Sequence, residues 1–471
     1  MAASKLKRVR LADFQKWESR SKPKPVSDRE KQSNNSLNLA IVYRAIGTLI
    51  CDPRNPRQHS PRQIRQIAQS IKLFGLIVPI LVDDELRVIA GHGRLAACRQ
   101  LKITNIPTIQ LRHLTDAQIR AFKIADNRLT EIAEWDNQLL GEELKELSVL
   151  NLDFSLEVTG FEIGEIDLRI QNVSDEINDA DVSDGSPASG PAVSKPGDLW
   201  ILNEHRIICA DALETTTYEE LLAEERAQMV FSDPPYNVSI RGNVGGRGAI
   251  QHREFAMASG EMSQGEFTEF LTKTFKHLVK YSDASALSYL CMDWRHLREI
   301  LEAGYEAFSS LLNVCVWAKD NAGLGSFYRS QHEFIFVYRN GTKAHRNNIA
   351  LGKHGRNRSN VWSYAGANSF ARQSDEGNIL KWHPTPKPTR MVADAVLDCT
   401  ARNDIVLDPF LGSGTTLMAA EYTGRRCFGA EIDPTYIDTA IRRWQKHTGS
   451  NAVHAVSGET FNVLLEESND E

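Results

Sequence analysis

Apolar positions along this chain follow one spacing in its first third and another in the remainder. Ile64, Ile67, Ala68 and Ile71 recur at three and four positions, the period of a helix that buries one face. Ser60-Pro61 before them is a cap followed by a proline at the first helical position, and Gly75 closes the run. "LIVPILVD" and "LRVIAG" read as two short strands around the turn at Asp83-Asp84, "RLAACRQL" as a helix and "IPTIQL" as another strand. With further helices from about Thr115 to Leu150, this predicts a small α+β unit. From Asp198 the pattern changes. "HRIICAD", "QMVFSD", "ALSYLCM", "LLNVCVWA", "EFIFVYR", "DIVLD" and "RCFGAEI" are strand candidates. Between them, Phe267, Phe270, Leu271, Thr274 and Leu278 line one helical face, as do Met391 or Val392, Ala395, Val396 and Cys399. Such βα alternation predicts an α/β domain with a central, mostly parallel sheet covered on both faces.

The 471 residues exceed one ordinary core and imply two or three domains. Residues 1–42 read as a basic mobile arm, 43–170 as the α+β unit with a helical extension, and 171–196 as an acidic flexible linker rich in Ser, Asp, Gly and Pro. The α/β domain then spans 197–449, and 450–471 is a C-terminal tail. Net charge is −6, which argues against a protein that coats DNA generically. Its distribution is uneven: residues 341–360 hold five Lys/Arg, two His and four Asn with no acid, whereas 172–196 hold five acids and one lysine. A local positive surface on an acidic protein is the expected result.

No apolar run approaches the length that spans a bilayer, and the N-terminus has basic residues without a signal-peptide core, so no membrane association and a cytoplasmic location are expected. The seven cysteines are scattered singly, without CxxC or Cys/His clusters; they read as reduced buried thiols, and no metal is expected.

Two loops carry the candidate chemistry. "FSDPPYNV" sets two prolines after an aspartate at the end of an apolar strand, so the strand stops there in a rigid turn. "DIVLDPFLGSGTTLMAAEYTGRRCFGAEID" reads as a strand, a Gly-rich loop, a helix opened by Thr415-Thr416, and a second strand ending at Glu431. Gly412 and Gly414 let backbone approach a ligand, and the helix start offers free N–H groups. No lysine follows Gly414, and the spacing is not GxGxxG, so neither phosphate-binding pattern applies. Asp408 before the loop and Glu431 after it would repel a pyrophosphate. They suit a ligand with an ammonium group, a sulfonium and a free ribose, a description that fits S-adenosyl-L-methionine.

"DPPY", "DPFLGSGTT" and "FGAEIDPTYIDTAIRR" together resemble the amino-group DNA methyltransferases, and the order, with the DPPY loop first, resembles the permuted beta class. The resemblance covers roughly residues 196–447 and implies a Rossmann-like fold binding S-adenosyl-L-methionine, with double-stranded DNA as partner and, as in much of that class, a homodimer. It implies catalytic roles for Asp233, Pro234, Pro235 and Tyr236: carboxylate and carbonyl accept the hydrogens of an exocyclic amine, the second proline stiffens the loop, and the tyrosine stacks on a flipped base. It implies cofactor contacts from Asp211, Lys387, Asp408, Phe410, Gly412, Gly414, Thr415 and Glu431. Asp211 fits equally a cap for the helix in "LETTTYEELL", and Lys387-Pro388 fits a proline-initiated helix start. Residues 341–382 occupy the place of the target-recognition region, where Arg346, Lys353, Arg356 and Arg358 are candidates for DNA phosphates. "SIRGNVGGRGAI" reads as a lid.

Aspartate opening the PPY motif favours adenine N6 as acceptor, where serine would favour cytosine N4. N4-cytosine methylation of DNA, methylation of structured RNA and a ParB-like DNA-binding protein with an inactive methyltransferase half are the alternatives. That last reading exists because "DPRNPRQHSPRQIRQIAQSIKLFGLIVPILV" and "VIAGHGRLAACRQLKITNIPTI" resemble the ParB/sulfiredoxin-like domain over roughly residues 44–135. The resemblance implies a nucleotide ligand at Gly91, His92, Gly93 and Arg94. His92 and Leu95 depart from the Glu and Arg of partition ParB proteins, leaving Arg94 and the helix start to hold phosphate. A structural glycine turn beside a core histidine is the alternative there.

Overall fold

Ser60 does cap the first long helix in the computed structural model, which describes residues 39–150, 152–174, 192–238, 260–322, 327–352, 355–365 and 387–470. Residues 1–38 of the arm, most of the acidic linker, the lid segment and much of the recognition region lie outside the described residues, whereas Ile41 and Val42 belong to the first strand. In α1 (Pro61–Phe74) the Ser60 hydroxyl accepts the Gln63 N–H at 3.1 Å, and Gly75 turns the chain out with φ +81°. Strands β1 (Ile41–Ala45), β2 (Ile80–Val82), β3 (Val88–Ala90) and β4 (Asn105–Gln110) form a sheet in the order β1-β4-β2-β3. Ala68 and Ile71 of α1 pack on this sheet with Leu95, Ala97 and Cys98 of α2 (His92–Gln100). "LIVPILVD" supplies only three strand residues: Ile77 and Val78 are exposed, and Pro79 has no N–H for a ladder. Helix α3 (Asp116–Glu131) begins with a reciprocal capping box between Thr115 and Gln118. These elements form a compact unit ending at Glu134.

The second unit opens with α4 (Asn137–Val149) and α5 (Ile163–Val173). Its sheet contains β5 (Leu199–Leu202), β6 (His205–Cys209), β7 (Ala227–Ser232), β8 (Ser282–Met292), β9 (Ser310–Ala318), β10 (His332–Arg339), β11 (Val361–Ser363), β12 (Ile405–Asp408), β13 (Arg426–Glu431) and β14 (Val453–His454). Their order is β11-β9-β10-β8-β7-β12-β13-β6-β5-β14. The central run β8-β7-β12-β13-β6 is parallel, and β10 runs against both its neighbours. Helices α6 (Thr215–Leu222), α7 (Gln264–Tyr281) and α8 (Leu297–Ala307) bury Leu221, Phe267, Phe275 and Ile300 in one apolar cluster. On α9 (Thr389–Cys399), α10 (Thr415–Thr423) and α11 (Pro434–Thr448), Met391, Val396, Leu417 and Ile441 enter two further clusters. The chain leaves β7 towards α7 and leaves neighbouring β12 towards α10, so the strand order reverses between them. This is a Rossmann-like α/β fold with its crevice at that reversal.

Helices α4 and α5 pack against each other through Gly141, where a Cβ would lie 2.8 Å from the Arg169 carbonyl oxygen. Leu144, Ile163, Ile166 and Ile170 form their core, against which Ala401 of the α/β domain packs. Asp167 is buried and accepts two hydrogen bonds from fully buried Arg425, at 3.1 and 2.7 Å, while Arg402 lies 3.6 Å away. The compact division therefore falls after Glu134 and not near residue 170, where composition alone put the domain's end. An isolated buried charge is costly, so the acid and its arginine hold the helices to the sheet domain.

A fragment of residues 135–471 is expected to unfold as one cooperative transition. Asp167→Ala in that fragment should cost about 3–5 kcal/mol in a urea titration, because Arg425 keeps its burial and loses its partner.

Candidate active site

Phe231 and Ser232 end β7, and the next residue, Asp233, stands at the carboxyl edge of the sheet. Pro234 is buried and its carbonyl receives no hydrogen bond among the described residues. Asn237 takes a left-handed φ of +52°, which asparagine tolerates. Its side chain donates to the Met262 carbonyl at 2.8 Å and accepts from Gly260 and Met262 N–H at 3.0 and 3.2 Å. Asn237 thus ties the end of the DPPY turn to the approach to α7.

The Asp233 carboxylate is engaged on both oxygens. Lys387 Nζ lies 2.5 Å from Oδ2, and the Tyr236 hydroxyl donates to Oδ1 at 2.8 Å. Lys387, expected beside the cofactor, precedes α9 and is buried. Its ammonium also lies 3.2 Å from Glu333 Oε2 and 5.3 Å from the centre of the Tyr236 ring. Glu333, on β10, pairs further with Lys319, whose ammonium sits 4.5 Å above the Trp317 ring. Burial pushes the Asp233 carboxyl up, an effect that Lys387 offsets only in part and Glu333 strengthens. Burial would raise Glu333 too, but Lys387 and Lys319 outweigh it and hold that carboxyl at about 2. Burial acts against the charge on Lys387, yet Asp233 and Glu333 prevail and raise it. Neither Glu333 nor Lys319 stands out in the sequence. A glutamate inside the apolar strand "HEFIFVYR" was the available signal, since an acid there must be partnered.

Across the reversal, β12 pairs with β7 at Leu407↔Val230, which brings Asp408 beside the strand that leads to Asp233. Asp408 is buried; it accepts from the Thr416 hydroxyl at 2.6 Å and from the Phe410 N–H at 3.0 Å. Gly414 caps α10 at φ +85°, and a Cβ there would sit 2.8 Å from that of Ala440, so only glycine lets α11 come this close. Glu431 accepts the Gly412 and Asp433 N–H groups, each at 2.9 Å, which fixes the loop above its own strand end. Burial pushes both Asp408 and Glu431 to about 7, the donated hydrogen bonds offsetting it in part. Asp211 follows β6, which pairs with β13 at Cys209↔Glu431, so it belongs to the same edge. The cap of α6 is Glu214, and Asp211 instead accepts the Leu213 N–H at 2.8 Å in a local turn. Asp233, Asp408, Glu431 and Asp211 therefore follow four parallel strands at one edge of the sheet.

The expected phosphate contacts fare differently. Arg346 is exposed, and Lys353 lies outside the described residues. Arg356 is turned inward: it is buried, pairs with Asp398 at 2.8 Å and Asp394 at 3.3 Å, and donates to Gln171 of α5. Arg358 pairs with Asp398 at 3.0 Å and donates to the Tyr364 hydroxyl at 2.7 Å. These two guanidinium groups are engaged by the acids of α9, a pairing that sequence distance hid.

In the N-terminal unit Gly91 caps α2 at φ +104°, and Gly93 fits against His59 and Ile67, either of which a Cβ would meet at 3.0 Å. His92 Nε2 is buried without a hydrogen-bond partner among the described residues, and burial, together with Lys123, lowers the imidazole. Arg94 is half-buried and folds over Gly91. Among the described residues, no helix is long and apolar enough to cross a membrane.

Comparisons with known proteins match this division. A DNA methylase family model matches residues 227–442, a ParB N-terminal domain model residues 27–128, and a ParB-methyltransferase HTH domain model residues 138–196. The last covers α4 and α5. The ParB-like nuclease domain-containing protein YnaK of Escherichia coli (strain K12) is 45% identical over 83 residues, 18% of this chain and 95% of that protein. The Type II methyltransferase M2.DpnII of Streptococcus pneumoniae is 27% identical over 263 residues, 53% of this chain and 93% of that protein. Among solved structures, the PvuII DNA methyltransferase (cytosine-N4-specific) aligns with a TM-score of 0.40 and 15% identity over 60% of this chain and 95% of that one.

The raised carboxyls have a consequence for stability. Asp408 binds its proton up to about pH 7 when folded, whereas an ordinary solvated aspartate does so only up to 3.8. The folded state is therefore penalised progressively as pH rises between those values. Asp408→Asn should exceed the unmodified protein in stability above pH 7 by about 1–3 kcal/mol, with the gap closing towards pH 4, in denaturation curves taken across that range.

Proposed function

The chain belongs to the ParB-like domain family and joins that domain to a DNA methylase domain of the N6/N4 amino-methyltransferase family, and we propose that it transfers a methyl group from S-adenosyl-L-methionine to N6 of adenine in double-stranded DNA. The observation that carries this reading is the adjacency of two parallel strands, β7 leading directly into Asp233-Pro234-Pro235-Tyr236 and β12 ending in Asp408 before the glycine loop. Asp408, Glu431 and Asp211 fit S-adenosyl-L-methionine as an acceptor set, because Asp408 and Glu431, titrating at about 7, release their protons to solvent readily beside a cationic ligand, and carboxylates accept from ribose hydroxyls. The cofactor supplies a methyl carbon bonded to a positively charged sulfur, which an amine can displace.

What the protein supplies is position and hydrogen-bond acceptance. An exocyclic amine is a weak nucleophile because its lone pair is delocalised into the base. The Asp233 carboxylate and the Pro234 carbonyl each accept one amine hydrogen, which draws the nitrogen towards a tetrahedral shape and frees that pair. Pro235 keeps the carbonyl aimed, since its ring fixes the backbone. The Tyr236 ring backs the base once its hydroxyl leaves Asp233. Arg346, which is exposed, supports the phosphate-binding reading of the recognition region. In the ParB-like unit, half-buried Arg94 and the start of α2 support a nucleotide phosphate as ligand. Aspartate at the head of the motif favours adenine over cytosine.

Asp233→Ala should lower methyl transfer by about 10³-fold or more while cofactor affinity changes less than about threefold, measured by radiolabelled methyl incorporation and calorimetry. Single-molecule sequencing of plasmid from cells expressing the chain should show N6-methyladenine in one sequence context; N4-methylcytosine would replace the adenine assignment. Cofactor binding should weaken as pH falls from 8 to 6 and should release protons near pH 7, because the cation favours the ionised forms of Asp408 and Glu431.

A further inference from the structure

Both donors that occupy Asp233 have a second acceptor within reach, and it is the same atom. Lys387 Nζ is 2.5 Å from Asp233 Oδ2 and 3.2 Å from Glu333 Oε2. The Tyr236 hydroxyl is 2.8 Å from Asp233 Oδ1 and 3.1 Å from that same Glu333 Oε2. The other Glu333 oxygen, Oε1, is held by Lys319. As it stands, Asp233 is a poor acceptor for an amine: a cation draws off its charge on one side and a hydroxyl covers the other.

We propose that Glu333 is a positioning residue that takes over Lys387 and Tyr236 when the target base enters, releasing the Asp233 carboxylate to accept the amine hydrogen. The inference rests on the methyl-transfer reading above. No bond is made or broken in this exchange and no proton changes owner; two hydrogen bonds move from one carboxylate to its neighbour. Two lysines and two carboxylates stay in the cluster throughout, so its net charge is constant and the burial cost is not increased. Lys319 makes the exchange possible, because it keeps Glu333 ionised and leaves Oε2 turned to the site. Glu333 lies on β10 opposite Trp317 of β9, so its side chain starts from a rigid ladder while the DPPY turn starts from a loop. The groups facing Glu333 are Lys319, Lys387, Asp233 and Tyr236, with the Cys291 thiol behind them.

A merely structural glutamate, balancing two buried lysines, would affect folding and cofactor affinity together. The test uses the full chain with Glu333→Gln, which keeps shape and loses charge, and Glu333→Asp, which keeps the charge. Glu333→Gln is expected to lower kcat by about 10²-fold while cofactor Kd and the KM for DNA move less than about threefold. The acid limb of kcat/KM should shift to lower pH, because the charge that raises the Asp233 carboxyl is gone. Glu333→Asp should recover part of kcat and leave the acid limb in place; it decides the matter if the Gln variant does not fold. Wild-type kcat in Glu333→Gln overturns the role, and so does a loss matched by an equal loss of cofactor affinity with an unmoved acid limb. If the unsubstituted chain itself transfers no methyl to DNA in this assay, the methyl-transfer reading fails instead.

Discussion

The parallel pairing of β7 with β12 is the constraint on which the candidate site depends. Hydrogen bonds between those strands fix the ends of two loops that lie about 170 residues apart in the chain. Strand order reverses between them, with α7 following one and α10 the other, and such a reversal places a crevice at the carboxyl edge of the sheet. Each loop is stiffened in its own way: two prolines and a left-handed Asn237 on one side, Gly414 against Ala440 on the other. Positioning of this kind is what direct transfer between two bound groups needs.

Around that edge the protein concentrates charge that it would be expensive to bury singly. On the donor side, Asp408 and Glu431 are held by backbone N–H groups and a threonine hydroxyl, and burial leaves them near neutrality in their titration. On the acceptor side two lysines and two carboxylates neutralise one another. The two halves thus meet different chemical demands. In the methyl-transfer reading one half suits a cationic ligand, whereas the other must keep a carboxylate ionised yet available.

Buried ion pairs also settle what belongs to the α/β unit. Asp167 with Arg425 and Arg402 fastens α5 to the sheet domain, and Arg356 joins the recognition region to α9 and to Gln171 of α5. The segment matched by a ParB-methyltransferase HTH domain model is therefore packed with the methylase domain, and its acid Asp167 faces arginines.

Much of this was legible along the chain. Apolar periodicity marked the long strands and helices, and "DPPY" and "DPFLGSG" announced their turns, because prolines and glycines act on their own backbone and need no distant partner. The strand-end positions of Asp233, Asp408 and Glu431 were legible for the same reason. Partnership was not legible. Arg356 and Arg358 sat in an acid-free basic run and read as DNA ligands, yet Asp394 and Asp398, some 40 residues on, claim them. Lys387 read as a cofactor residue, and its pairing with Asp233 and Glu333 was not visible in the sequence, while Glu333 and Lys319 gave no motif at all. The sequence by itself determined the elements, the turns and the order of the two loops, since these follow from local backbone preference and the period of burial. Only the tertiary structure decided which charges neutralise which, because a buried charge must be paired through space and the partner's position in the chain is irrelevant to that cost.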